Sequence, residues 1–249
     1  MNDIYRRHAR RAFMALAFLL ASLSVPAWAE TPAGCAAPLP RAMSAARQAT
    51  NLAFFKQHLI RYRCTRYDAD LARVDRAAAA WIARRAPRVA KPALVLDIDE
   101  TSLSNWAVMV HNDFAYFREG DCDLSAHSAC GQAAWEASEA APAIAPTRDL
   151  FDLAKARGVA VFFVTGRGEG ERAITEANLR KAGYDGWTGL FMRPPESRGL
   201  METYKSAARA KIEALGYRII ANVGDQQSDL ALGHAERAFK LPNPFYYLP

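Results

Sequence analysis

Apolar and polar positions change rhythm twice along this chain. From about Arg41 to Arg85 the residues are rich in Ala, Arg and Leu, with no Gly or Pro, and apolar positions recur at helical spacing. Phe54, Phe55, Leu59 and Tyr62 form one such set, and Leu71, Val74, Ala78 and Ile82 a second. The pattern predicts two helices, broken near Cys64–Tyr67, that pack on the main body of the protein. Pro92-Ala93-Leu94-Val95-Leu96 then forms a short apolar run, which predicts a buried strand ending in Asp97 and Asp99. Between 102 and 146 the chain carries Gly120, Gly131, Pro142 and Pro146 and no strand pattern, so it reads as an insertion perched over the strand end, a cap. Regular alternation starts at Thr147. A helix to Ala156 stops at Gly158, the strand Val159–Val164 runs into Thr165-Gly166-Arg167, and a helix to about Lys181 stops at Gly183. Gly189–Arg193 follows as a short strand, Leu200–Leu215 as a helix, and Tyr217–Val223 as a strand running into Gly224-Asp225. Helix, strand and glycine in this order predict an α/β fold with a central parallel sheet and right-handed crossovers.

The start of the chain has a different logic. Arg6, Arg7, Arg10 and Arg11 precede an apolar run from Ala12 to Leu23, and Pro26-Ala27-Trp28-Ala29 supplies an A-x-A site. This predicts a signal peptide over residues 1–29, cleaved after Ala29, and a periplasmic or secreted product. The apolar run is too short for a comfortable bilayer span. Arg10-Arg11 also suits twin-arginine export, and Ala33-Gly34-Cys35 would suit lipid attachment if Pro32 were aliphatic. The expected organisation is a signal over 1–29, a helical extension over 30–90 and a core over 91–249 that contains the cap.

Charge changes this picture little. Of the formal +6, the first 29 residues supply half, and the remainder is too weak to suggest a nucleic-acid polymer as partner. The cysteines say more. Cys35, Cys64, Cys122 and Cys130 are an even number in a chain expected to be exported, which favours disulfides. Of the possible pairings, Cys35–Cys64 with Cys122–Cys130 closes a local segment each time. A zinc site is not indicated, because Cys122 and Cys130 lack ligand spacing and so do His58, His111, His127 and His234.

In a parallel sheet the strand ends lie on one edge, so Asp97 and Asp99, Thr165-Gly166-Arg167 and Gly224-Asp225 with Asp229 should converge. Lys205, near the start of a helix, adds a cation. Oxygen-rich and nearly free of His and Cys, this set suits a hard cation such as Mg2+. Trp106, Phe114, Tyr116 and Phe117 are the cap aromatics placed to line a pocket over it.

Leu96-Asp97-Ile98-Asp99-Glu100-Thr101, Val164-Thr165-Gly166-Arg167, Tyr204-Lys205-Ser206 and Gly224-Asp225-Gln226-Gln227-Ser228-Asp229 resemble the four ordered motifs of the haloacid dehalogenase (HAD) superfamily. Ser104-Asn105, Gly216-Tyr217-Arg218-Ile219 and the stretch Phe239–Tyr247 are similar to its branch of bacterial class B and class C acid phosphatases, plant acid phosphatases and vegetative storage proteins. The resemblance implies a Rossmann-like core and an acid phosphatase, a phosphoric monoester hydrolase. It implies Asp97 as nucleophile, Asp99 as general acid and base, and Thr165 and the Gly166 amide on the phosphoryl oxygens; Arg167 is expected either to join them on the substrate or to serve as a structural ion-pair partner. Lys205 would balance charge, and of the cap aromatics, read from their position and not from the resemblance, Trp106 is the one expected at the substrate. Magnesium would be held by Asp97, the backbone carbonyl of Asp99 and Asp225, with Asp229 behind them. A small phosphomonoester is the implied substrate, nucleoside monophosphates among the candidates. A low-activity storage or binding protein and a HAD phosphotransferase are the alternatives. The tail Phe245–Leu248 is expected either to pack across a second copy in a homo-oligomer or to close its own sheet edge.

Overall fold

The computed structural model describes residues 33–35 and 51–248, and the expected signal peptide, its cleavage after Ala29 and the helix start near Arg41 lie outside the described residues. The side chain of Asn51 accepts the Phe54 N–H at 3.2 Å and starts α1 (Leu52–Tyr62). The expected break does not occur. A π-helical turn, Arg63–Tyr67, carries the chain directly into α2 (Asp68–Arg85), and Cys64 within it is bonded to Cys35. Because a π turn holds more residues than an α turn, the apolar stripes of α1 and α2 lose phase across it. Leu71, Ala78 and Ile82 of the second stripe are fully buried, whereas α1 buries no residue fully and, of the first stripe, Tyr62 at its end packs on the core while partly exposed. Phe54 and Phe55 are 50% and 53% exposed, which corrects the expectation that they pack on the main body.

Five strands form one parallel sheet in the order β3-β2-β1-β4-β5: β1 (Pro92–Leu96), β2 (Ala160–Gly168), β3 (Gly189–Arg193), β4 (Arg218–Gly224) and β5 (Ala238–Lys240). The period of two explains the layers. Leu94, Leu96, Val161 and Phe163 point to the face covered by α2 and by α5 (Ala145–Ala156). Ala93, Val95, Phe162 and Val164 point to the opposite face, where Ala208 and Ile212 of α7 (Met201–Ala214) meet them. Trp81 of α2 ties its helix to β4 by donating its indole N–H to the Ile220 carbonyl at 2.7 Å. The five-strand α/β sheet is the expected fold, with two differences. β2 runs on to Gly168, and β5 was not foreseen because three residues carry no readable alternation.

The segment after β1 holds two short helices, α3 (Trp106–His111) and α4 (Gln132–Ala137), and a loop closed by the Cys122–Cys130 disulfide. Both cysteine pairs are the expected ones. On the far side of β2, α6 (Arg172–Lys181) follows a single 3-10 turn, Glu169–Glu171, and α8 (Gln227–Leu230) is a single turn after β4. No helix among the described residues is long and apolar enough to cross a membrane.

Candidate active site

The strands are parallel, so their C-terminal ends deliver polar residues to one edge. Ile98 is fully buried, and the period of two around it places Asp97 and Asp99 together on the cavity side. The turn beyond is tight. The Ile98 carbonyl accepts the N–H groups of Ser102 and Leu103, and Ser102 Oγ donates to the Asp97 carbonyl at 2.6 Å. Glu100 sits at φ +55°, a left-handed conformation that costs a side-chain-bearing residue energy. Its N–H donates to the Leu103 carbonyl, and its carboxylate accepts Asn105 N at 2.5 Å and Tyr246 Oη at 3.0 Å.

Lys205 Nζ lies between two carboxylates, donating to Asp97 Oδ1 at 2.6 Å and to Asp229 Oδ1 at 2.5 Å. Asp97 Oδ2 receives no hydrogen bond from the described residues, while every oxygen of its carboxylate neighbours is engaged. Asp229 Oδ2 accepts the Gln226 N–H at 2.7 Å. Asp225 Oδ1 accepts from Thr101 at 3.0 Å, and its Oδ2 from Gln226 Nε2 at 2.6 Å and Asn243 Nδ2 at 2.7 Å. Gly224 is required here by contact: a Cβ on it would stand 2.4 Å from Asp229 Cβ. Arg209, fully buried, holds the same turn from below through the carbonyls of Asp229, Ala231 and Gly233.

Asp99 faces a different partner. The Arg167 guanidinium reaches it with Nη2 at 2.6 Å and Nε at 3.1 Å, and Asn105 Nδ2 adds a bond at 2.8 Å. Burial works to raise the Asp99 carboxyl, but Arg167 outweighs it and the net shift is downward. Asp97 goes the other way: burial, then the charge of Asp229, raise it against the opposing pull of Lys205. Burial alone would depress Lys205, and the carboxylates of Asp229 and Asp97 more than reverse that. Burial, with Asp99 and Asp225 nearby, pushes Glu100 up to about 8.

These residues line one cavity of about 800 Å³. It brings together Asp97, Asp99, Gly166, Arg167, Lys205, Asp225 and Asp229, all singled out in the sequence. Two others it does not reach. Thr165 is fully buried behind the wall, where its hydroxyl accepts the Arg167 N–H at 3.2 Å and shapes the turn. Trp106, expected at the substrate, is 3% exposed: its ring packs on Phe114 and Phe245 and its indole N–H donates to the Ala33 carbonyl at 2.7 Å. A large aromatic with a satisfied N–H is a core residue, and Phe114, Tyr116 and Phe117 line the cavity instead. The tail closes its own site, since Phe245 packs on Tyr67 and Trp106, Tyr246 reaches Glu100 and the Leu248 N–H donates to Gln226.

Asn105, Thr101, Asn243 and Arg209 orient the site carboxylates and were assigned no role from the sequence. Thr101, Asn105 and Asn243 stand within the stretches that resemble the family, which is their only signal. Arg193, at the end of β3, lines the cavity as well, and a lone arginine before two prolines gave no warning of it.

A family model described as HAD superfamily, subfamily IIIB (Acid phosphatase) matches residues 40–249. The chain is 38% identical over 157 residues to "Acid phosphatase 1" of Solanum lycopersicum, covering 62% of this chain and 58% of that one. It is 35% identical over 162 residues to "Stem 28 kDa glycoprotein" of Glycine max, covering 64% and 61%. The chain thus spans about three fifths of the length of these curated relatives. Among solved structures, the class C acid phosphatase from Bacillus anthracis has the same fold, with a TM-score of 0.61 at 18% identity over 77% of this chain and 86% of that one.

Proposed function

Because the chain belongs to subfamily IIIB of the HAD superfamily, the acid phosphatases, we propose that it hydrolyses small phosphate monoesters, with Asp97 as the nucleophile. The observation that carries the reading is Asp97 itself, anchored through Oδ1 by Lys205 at 2.6 Å while Oδ2 has no hydrogen bond among the described residues and stands at a cavity. A carboxylate held on one oxygen and open on the other is oriented for attack.

In the first step Asp97 Oδ2 attacks phosphorus, the bond from phosphorus to the leaving alcohol oxygen breaks, and Asp99 gives that oxygen its proton. In the second, water attacks the phosphorus of the aspartyl-phosphate, Asp99 takes the proton, and the bond to Asp97 breaks to release inorganic phosphate. Arg167 holds Asp99 ionised in the structure, which suits the second step. For the first, the phosphoryl oxygens draw the guanidinium away from Asp99, which leaves a buried carboxyl that favours its proton. The Gly166 N–H and Lys205 complete the phosphoryl cradle.

The donors present fit a hard divalent cation. Asp97, Asp225 and Asp229 each bring a carboxylate oxygen within 4.8 Å of the others, with no sulfur or imidazole among them. Against the one ammonium of Lys205, these carboxylates leave two negative charges when all are ionised. Magnesium would be held by Asp97, the Asp99 carbonyl and Asp225, with Asp229 kept to Lys205. Bound there, it would offset repulsion between the carboxylate and an anionic phosphate. Two disulfides suit an oxidising compartment, in keeping with export through a signal over residues 1–29 to a periplasmic or secreted location.

The test is release of p-nitrophenol from p-nitrophenyl phosphate, with chelator and after magnesium is restored. Expected is turnover that chelator abolishes and magnesium recovers. No release contradicts the reading and favours a storage or binding role, and transfer of phosphate to an added alcohol in place of water favours a phosphotransferase.

A further inference from the structure

We propose that the cavity holds a second anion-binding subsite, built on Arg193 with Arg198, and that the preferred substrate is a phosphomonoester whose alcohol part carries another anionic group. The inference rests on the phosphatase reading and narrows its substrate class.

Four arginines line the cavity. Arg167 pairs with Asp99 and, in the proposed reaction, serves the phosphoryl group at Asp97. Arg118, from the cap, is committed to Glu171 at 2.6 Å, and Glu171 spends its other oxygen on the Gly168 N–H at 2.8 Å. Gly168 is the residue paired with Arg193 across β2 and β3, so this neighbouring carboxylate already has both oxygens engaged, and none of its bonds goes to Arg193. Arg193 is half-buried, yet the only hydrogen bond of its guanidinium among the described residues goes to the Ser197 carbonyl at 3.4 Å. Arg198, on the same loop, has no hydrogen bond or ion pair among the described residues. A guanidinium offers five N–H donors, and one that is half withdrawn from water without a carboxylate is short of partners.

Position sets the spacing. β3 lies two strands from β1, and neighbouring strands are separated by about 4.8 Å, so the end of β3 stands on the order of 10 Å from Asp97. A substrate with its phosphate at Asp97 would bring a carboxylate or phosphate, several bonds away, onto the Arg193 fork. Paired oxygens of a carboxylate or a phosphate are what that fork engages best.

The experiment compares hexyl phosphate with ω-carboxyhexyl phosphate, which share one scissile ester and differ in the distal carboxylate. Wild-type protein with magnesium should show kcat/KM about tenfold higher for the carboxylated ester, and high salt should shrink the ratio. Arg193→Met should bring the ratio close to one, and Arg193→Lys should retain part of it. Should Arg193→Met fail to fold, Arg193→Lys and the salt titration on wild type read the same contact. Turnover of both esters at equal kcat/KM, or a preference that Arg193→Met leaves in place, overturns the subsite alone. Turnover of neither ester overturns the phosphatase reading, and the subsite with it.

Discussion

Asp97 and Asp75 are both aspartates taken almost wholly out of water, 5% and 3% exposed, and the molecule surrounds them with different partners. Asp97 ends a strand at a shared edge, with an ammonium at 2.6 Å and two further carboxylates close by. Asp75 lies inside the α2 helix where it packs on α5, with no ion pair among the described residues. Its Oδ2 accepts one bond, from Thr147 Oγ1 at 3.2 Å, and its Oδ1 has none. Burial, helped by Asp149 and opposed only by that bond, raises the Asp75 carboxyl to about 7. Burial raises both carboxyls; Asp75 meets it with a single hydroxyl, whereas Asp97 has an ammonium and two further carboxylates around it. Partners, not depth, separate a site from a strained interior.

The largest effect that would break this contrast is at Asp97. Asp97→Asn should lower turnover by on the order of ten-thousandfold while leaving the circular dichroism spectrum and cooperative melting in place. Activity within tenfold of wild type would remove Asp97 from the role given to it.

Lys205→Met comes next. It leaves Asp97 and Asp229 side by side without their cation, at a cost of about 3–5 kcal/mol in a urea melt, together with loss of turnover. Unchanged stability would show that the two carboxylates do not depend on it.

Asp75→Asn sharpens the other side. The folded carboxyl titrates near 7 against 3.8 for the free side chain, so the unfolded chain ionises first as pH rises. Stability from this group is full below about pH 4 and is lost between about pH 4 and 7, by up to roughly 4 kcal/mol. The Asn variant should match wild type at acid pH and exceed it above neutrality. Parallel stability curves across that range would refute the assignment.

The smallest effect belongs to Thr147→Val, which removes the one bond to Asp75 and should cost about 1 kcal/mol. It should also move the Asp75 titration further upward, a change readable by NMR.

What the sequence disclosed divides along the same line. The strand-end motifs were legible because an apolar run that stops at two aspartates needs a reason, and parallel topology supplies one. Asp75 was legible only in hindsight: it falls on the stripe of Leu71, Ala78 and Ile82, where a charge is out of place. Periodicity reports which side of a helix is apolar and not whether anything covers it, and so α1 was expected to be buried. The same blindness affected Trp106. Aromatic spacing does not tell a cavity wall from the core behind it, and the deciding contact is with Ala33, over seventy residues away. Arg193 escaped notice because its meaning lies in what does not pair with it.

The most direct test of the account is to find where phosphate resides during turnover. Protein mixed with p-nitrophenyl phosphate and magnesium is quenched in acid within the first turnover, reduced with borohydride and analysed by peptide mass spectrometry. The account requires the mass of homoserine in place of aspartate in the peptide that contains Pro92–Thr101, at Asp97 alone, and none in Asp97→Asn. Turnover with Asp97 unmodified, or with phosphate carried on any other side chain, would contradict it.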